Sequence, residues 1–220
     1  NNRASWTAKN IRFNSLGCAS FDVYNNDSFY SDISLSVPGI HNVSNSLAAI
    51  ASCSIMGCAK ETIKSGILRF TGTHRRFETK GIADGIRVVD DYAHHPSEVQ
   101  ATLNAAKNAG HNRIWSVFQP HTYTRTKFLM DEFAGSFNAA DRVIITDIYA
   151  AREKDTGEVH AKMLCDRLKK NKEDSLYISG FDNIVDYLVE NVEAGDLVIT
   201  LGAGDVYRVG EMFLEKKSKG

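Results

Sequence analysis

Over residues 1–70 apolar and polar positions alternate in short runs. "AKNIRFN", "ASFDVYN" and "DISLSV" switch polarity almost residue by residue and are separated by Gly, Asn, Asp and Ser. A period of two sends alternate side chains to opposite faces, so these runs predict the antiparallel strands of a meander. In "VPGIHNVSNSLAAIASCSIMG" the period changes. Pro38 and Gly39 close the last strand, and Val43, Leu47, Ile50 and Ala51 recur at helical spacing, with Asn42 or Ser44 as the capping residue. "AKETIKSGILRF" predicts a second, shorter amphipathic helix, after which the texture changes near residue 71.

From residue 74 onward the chain alternates between nearly continuous apolar runs and helical patterns. "IRVVDDY", "RIWSVFQP", "DRVIITDIY", "SLYIS" and "DLVITLGAG" read as strands. "PSEVQATLNAAKNA", "TRTKFLMDEFAGSF", "GEVHAKMLCDRLKK", "FDNIVDYLVENV" and "VYRVGEMFLEKK" read as the helices between and after them. Strands that are apolar throughout, joined by helical crossovers, predict a parallel sheet covered on both faces. The handedness of such crossovers makes it an open, doubly wound sheet. The expected fold class is therefore α/β: a doubly wound, mostly parallel sheet over residues 71–220, preceded by an α+β segment over residues 1–70. Only the terminal "EKKSKG" reads as frayed.

Ligands of open parallel sheets gather beyond the carboxyl ends of the strands. Here "DDYAHH", "QPHTYTR", "TDIYAAREKDTG" and "LGAGD" extend four strand ends. One of Asp90 and Asp91 is expected to be a solvated or capping acid, and the other to bind hydroxyls or a cation. His94 and His95 precede Pro96 and so lie in a turn. In "THRRF" an extended backbone would point Arg75 and Arg76 in opposite directions, leaving one guanidinium for a phosphate or carboxylate. His121, Tyr123 and Arg125 sit just before a helix, where Arg125 would suit a carboxylate or would pack its stem on the sheet. "LGAGD" lacks the third glycine of a dinucleotide fingerprint and follows the last strand, so it reads as a tight turn with close backbone approach. No G-x-x-x-x-G-K-S/T occurs, so a triphosphate loop would have to come from sequence outside this chain.

Composition narrows the partners. The chain has 220 residues, 43% hydrophobic and 24% charged, with a formal net charge of -1. That is globular composition without bulk attraction to nucleic acid or an anionic membrane surface, and no apolar run is long enough to span a bilayer. The first residue is Asn rather than Met, without the charged-then-apolar layout of a secretory signal, so a longer or processed chain is expected. Cys18, Cys53, Cys58 and Cys165 are scattered, which fits thiols in a reducing cytoplasm and no zinc site.

In order, "PGIHNVSNSLAAIA", "FTGTHRRFE", "VVDDYAHHPSEVQATL", "FQPHTYTRT", "DIYAARE" and "LGAGDVYRVGE" resemble the Mur ligase family. The resemblance covers nearly the whole chain, and the combination of "HNVSN", "DDYAHHP" and "FQPHTYTRT" is its most specific part. It implies three domains in the intact protein. Residues 1–70 would be the C-terminal part of the central ATP-binding domain, and residues 71–220 the Rossmann-like C-terminal domain. It implies an ADP-forming acid–amino-acid ligase of cytoplasmic peptidoglycan synthesis, with ATP and Mg2+ as cofactors and UDP-N-acetylmuramate and L-alanine as substrates. ATP would phosphorylate the lactyl carboxylate, and the amine of L-alanine would attack the acyl phosphate. His41, Asn42 and Asn45 would lie beside adenine and ribose, and Asp91 on the ribose hydroxyls. Arg76 would reach the γ-phosphate, with His94 near the phosphates. His121, Tyr123 and Arg125 would place the amino acid, Arg125 pairing with its carboxylate. Thr122 stands where some members carry a second arginine, and Arg152 where a small residue is expected. Without a phosphate loop the segment alone is expected to be inactive. Two other readings stand beside this one: a ligase that recycles murein tripeptide, and a non-catalytic nucleotide-binding module with "LGAGD" as its phosphate turn.

Overall fold

The computed structural model describes residues 4–170, 172 and 174–219. The chain divides into two compact units, Asn1–Thr73 with Asn104–Gly110, and His74–Leu103 with His111–Gly220.

In the first unit β1 (Trp6–Phe13), β2 (Cys18–Asn25) and β3 (Ser28–Pro38) form an antiparallel sheet in the order β1-β2-β3. Asn26 and Asp27, with φ 47° and 65°, make a two-residue loop between the paired Asn25 and Ser28. Positive φ at both loop positions matches the twist of the flanking strands. Phe21 and Val23 of β2 and Ile33, Leu35 and Val37 of β3 share one core with Val43 and Ile50 of α1 (His41–Ile55) and Ile63 of α2 (Lys60–Arg69). The period-two stripe of the strands thus meets the helical stripe of α1. The expected cap is not used. The helix starts at His41 with no side-chain cap, and the Asn42 amide instead donates to the Pro38 carbonyl at 2.7 Å. The turn at Pro38 and Gly39 brings that carbonyl within reach, so Asn42 ties the strand to the helix rather than capping it.

The second unit is built on a six-stranded sheet in the order β4-β5-β9-β6-β7-β8. Its strands are β4 (Glu78–Ala83), β5 (Ile86–Asp91), β6 (Ile114–Phe118), β7 (Arg142–Ile145), β8 (Ser175–Tyr177) and β9 (Leu197–Leu201). The helices are α3 (Pro96–Lys107), whose residues from Asn104 on count with the first unit, α4 (Tyr123–Phe128), α5 (Met130–Ala134), α6 (Ala161–Leu168), α7 (Phe181–Asn191) and α8 (Tyr207–Ser218). All neighbouring strands from β5 to β8 are parallel, and β4 pairs antiparallel with β5. One face buries Val88, Trp115, Val117, Ile144 and Val198 against Ile184, Val185 and Leu188 of α7 and Val209 and Phe213 of α8. On the other, Phe118 packs on Phe133 and Phe137, with ring centroids 5.2 and 5.3 Å apart. Burial on both faces is why these strands read as continuous apolar runs. No helix of the described residues is long and apolar enough to cross a membrane.

Three details differ from the sequence reading. Strand β4 was not expected, yet Asp84 and Gly85 (φ 50° and 74°) form a two-residue loop between the paired Ala83 and Ile86. A D-G pair between apolar runs is a hairpin signal in its own right. The expected helix over 124–137 bends at Leu129 into α4 and α5. Phe128 and Phe133 are five residues apart, about 140° around a straight helix, so both cannot face one core; Phe128 is left 78% exposed. Finally, α8 continues to Ser218 instead of fraying. Lys216 and Lys217 pair with Asp186 and Asp84, and cations at a helix carboxyl end also offset its dipole.

Candidate functional site

The polar extensions of β5, β6, β7 and β9 build one end of the sheet in the second unit. The "THRRF" turn enters this end in left-handed backbone, with φ 56° at Arg75 and 47° at Phe77. Its two arginines separate by role. The Arg75 side chain is 13% exposed and donates to Asp90 Oδ2 at 2.8 Å, to the Gly202 carbonyl at 2.7 Å and to the Gly204 carbonyl at 2.9 Å. Arg76 is half exposed, 3.7 Å from Glu98 and beside the Tyr92 ring. Of the two it is the more exposed guanidinium.

Both acids of "DDYAHHP" are buried, so neither is the solvated acid that the sequence suggested. Asp90 accepts from Arg75 and from the Thr200 hydroxyl at 2.7 Å. Asp91 accepts the Phe77 N–H on one oxygen and the Ala93 N–H on the other, both at 2.8 Å. Burial pushes the Asp91 carboxyl above the usual range, although those two N–H groups pull the other way. In this arrangement Asp91 braces the turn that carries Arg76.

Next comes His94. Its Nδ1 lies 2.8 Å from the Tyr92 carbonyl, and its ring meets those of Tyr92 and His121 at 5.3 and 5.9 Å. Glu98 accepts the N–H groups of His94 and His95 at 3.0 and 3.2 Å, as the glutamate of a capping box does one turn into a helix. Burial raises the Glu98 carboxyl, but the His94 N–H and the charges of His94 and Arg76 outweigh it and hold the group below its ordinary value.

At the end of β6, His121 stacks on Tyr149 at 5.5 Å with 21° between the ring planes. Arg125 Nη1 approaches His121 Nδ1 at 3.4 Å. Burial first, then the charges of Arg125 and His94, lower the His121 pKa and keep the ring neutral near pH 7. Thr122 caps α4 from φ 68°, its hydroxyl accepting the Arg125 N–H. Glu153 accepts from the N–H and hydroxyl of Thr124. Tyr123 turns toward Asp155; burial and that acid raise its phenol.

The chain of contacts therefore runs Arg76–Glu98–His94–His121–Arg125, with Asp91 beneath the first member. His41, Asn42 and Asn45 belong to the other unit, in the first turn of α1, where the Asn45 amide donates to Asn42 Oδ1 at 3.0 Å. "LGAGD" is a turn of close approach, as read. A Cβ on Gly204 would lie 2.3 Å from Gln119 Oε1 and 2.6 Å from Tyr149 Cγ. Sequence reasoning missed Tyr92, Glu98, Gln119, Tyr149 and Glu153. Glu98 was findable, three residues after the cap position at His95; the others carry no local signal beyond lying in strand-end loops. Among the described residues no group of three or more His, Cys, Asp or Glu is spaced to hold a metal ion.

Over residues 75–204 the sequence matches the family model for the Mur ligase, glutamate ligase domain. The chain belongs to the Mur ligase family. The UDP-N-acetylmuramate–L-alanine ligase of Acetivibrio thermocellus is 58% identical over 214 residues, covering 97% of this Mur ligase chain and 46% of that protein. The crystal structure of the UDP-N-acetylmuramate–alanine ligase of Thermotoga maritima superposes with a TM-score of 0.83 at 28% identity, over 99% of this chain and 47% of that one. The murein peptide ligase of Psychrobacter arcticus gives a TM-score of 0.70 at 26% identity, over 100% of this chain and 45% of that one. The Mur ligase chain spans about half the length of the curated relatives it matches.

Proposed function

We propose that this chain, within a longer protein, serves the ATP-dependent joining of L-alanine to the lactyl carboxylate of UDP-N-acetylmuramate, in the cytoplasmic synthesis of peptidoglycan. Residues 1–70 would belong to the central ATP-binding domain and residues 71–220 to the C-terminal domain. The observation that carries the reading is the contiguous set Arg76, His94, His121 and Arg125 at one end of the sheet. It offers two guanidinium groups, one on either side of two imidazoles, in a chain 58% identical to a ligase of that name.

A carboxylate is a poor electrophile, so the reaction proceeds through its acyl phosphate. Arg76 neutralises charge on the transferring phosphoryl group, and His94 lies near the phosphates. Arg125 pairs with the carboxylate of the amino acid as a planar fork. The neutral His121 beside it adds no repulsion to the incoming amine, and Tyr123 closes the same side. Asp91 takes the ribose hydroxyls on the lone pairs its two backbone N–H groups leave over. In the first unit, His41, Asn42 and Asn45 serve adenine and ribose, Asn42 and Asn45 by paired amide hydrogen bonds. Among the described residues no group of three or more His, Cys, Asp or Glu could hold magnesium.

The test uses the intact protein with ATP, magnesium and UDP-N-acetylmuramate. Phosphate release is expected to require L-alanine. Release with preformed murein tripeptide but not with L-alanine would assign the recycling reaction instead. Nucleotide binding without phosphate release in either mixture would sink both ligase readings.

A further inference from the structure

Arg75 has no part in the reaction outlined above, yet all three nitrogens of its side chain are engaged. Its three N–H directions go to Asp90 of β5 and to the carbonyls of Gly202 and Gly204 after β9. Its guanidinium also lies 5.0 Å from the Tyr92 ring centre and 4.9 Å from that of Tyr207. The rigid planar fork sends its donors to an acid and two carbonyls in fixed, spread directions, where an ammonium would offer a single compact point on a flexible stem.

The backbone around Arg75 does not depend on that side chain. The Arg75 N–H donates to Glu78 at 2.8 Å, its carbonyl accepts the Tyr92 N–H at 2.8 Å, and the Phe77 N–H donates to Asp91 at 2.8 Å. The turn carrying Arg76 is thus pinned three times over by other groups. What the side chain does hold is the glycine turn, and that turn lies against Tyr149. Gly204 leaves no room for a Cβ between Gln119 and the Tyr149 ring. Tyr149 in turn stacks on His121, and its backbone exchanges bonds with Pro120 and Thr122 at 2.8 and 2.9 Å.

We propose that Arg75 is a positioning residue: by holding the Gly202–Gly204 turn against Tyr149 it sets the place of His121, and with it the amino-acid side of the site. The inference rests on the ligase reading for what that side binds.

The experiment measures steady-state kinetics of the intact ligase with two variants. Arg75→Lys keeps a cation for Asp90 and loses the grip on both carbonyls. Gly204→Ala pushes on Tyr149 from the turn itself. A displacement of about 1 Å at such a distance can cost up to about a hundredfold, so both variants are expected to raise KM for L-alanine by about tenfold or more. KM for ATP is expected to stay within about twofold, because Arg76 keeps its turn. A merely structural role would lower the active fraction and leave both KM values alone. Unchanged L-alanine KM in both variants, or ATP and L-alanine KM rising together, would overturn the proposal. If the wild-type protein ligates nothing, the ligase reading falls separately. The His121 Cε1 resonance of histidine-labelled protein, assigned with His121→Gln, should still move in folded Arg75→Lys. A resonance that stays in place rejects the positioning role by itself.

Discussion

The two ends of the second unit's sheet are made differently. At the amino end, Asp196 is 1% exposed and fully engaged. It takes the Arg113 guanidinium at 2.8–3.2 Å, the Trp115 indole N–H at 3.0 Å and the Glu193 N–H at 3.1 Å. The Ile114 N–H beside it donates to Asp141 at 2.7 Å. At the carboxyl end Arg76 is half exposed, and His94 and His121 retain ring atoms for a ligand. Backbone strain gathers there as well. Among the described residues of this unit, Arg75, Phe77, Asp84, Thr122 and Ala151 are the non-glycine residues with positive φ, and all but the hairpin residue Asp84 lie in loops of the carboxyl end. One end ties the strands together through Asp196, although His111 Nε2 there is buried without a hydrogen-bond partner; the other gathers exposed cationic and imidazole groups on left-handed backbone.

The comparison is broken most directly at the amino end. Asp196→Ala would take the buried partner from a part-exposed guanidinium and leave the Trp115 indole N–H unpaired, and is expected to cost about 3 kcal/mol. Urea unfolding should show this loss, while turnover per folded molecule stays near wild type. The converse at the carboxyl end is Arg76→Ala in the intact ligase. Loss of one group that stabilises transferring charge is expected to lower kcat/KM by about 100-fold, with a urea midpoint close to wild type because the side chain is half exposed. Equal effects of the two variants on stability would erase the distinction.

Acid sharpens it next. Burial would raise the Asp196 carboxyl, but Arg113, the Glu193 N–H and the Trp115 indole outweigh it, so its folded pKa lies below the unfolded value of about 3.9. A depressed carboxyl supports the fold fully above the unfolded value and loses that support as pH falls through the folded one. Asp91 has the opposite sign. Its raised carboxyl makes the ionised form the costly one, and acid relieves it. The fall in urea midpoint below about pH 4 should therefore be shallower in Asp196→Asn than in wild type. The smallest effect expected is at Thr122, a β-branched residue at φ 68° and ψ 143°. Gly adopts this conformation freely and loses only a few tenths of a kcal/mol as a cap. Thr122→Gly should raise stability by up to about 1 kcal/mol, measured by the same unfolding curves; a loss would place the strain elsewhere.

What was legible in the sequence follows the same division. The apolar strands announced themselves because burial on two faces leaves no polar alternation, and the loops after them marked the carboxyl end. Arg75 and Arg76 could be told to diverge but not which one turns inward, since that depends on Asp90 and on carbonyls more than a hundred residues away. Asp90 and Asp91 looked like one solvated or capping acid and one that binds hydroxyls or a cation; the solvated one is absent, because both are buried. Strand β4 was written in the Asp84–Gly85 turn and went unread. The bend at Leu129 was not legible, because it answers to Phe118 on a different strand.

The place of β9 has a consequence for synthesis. It lies between β5 and β6, so Leu197 pairs with both Arg87 and Ile114, 110 and 83 residues earlier. A ribosome therefore releases β5 through β8 before their central partner exists. Until residues 197–201 emerge, two inner strand edges stay open to wrong pairing, and the binding loops have no common frame on which to assemble.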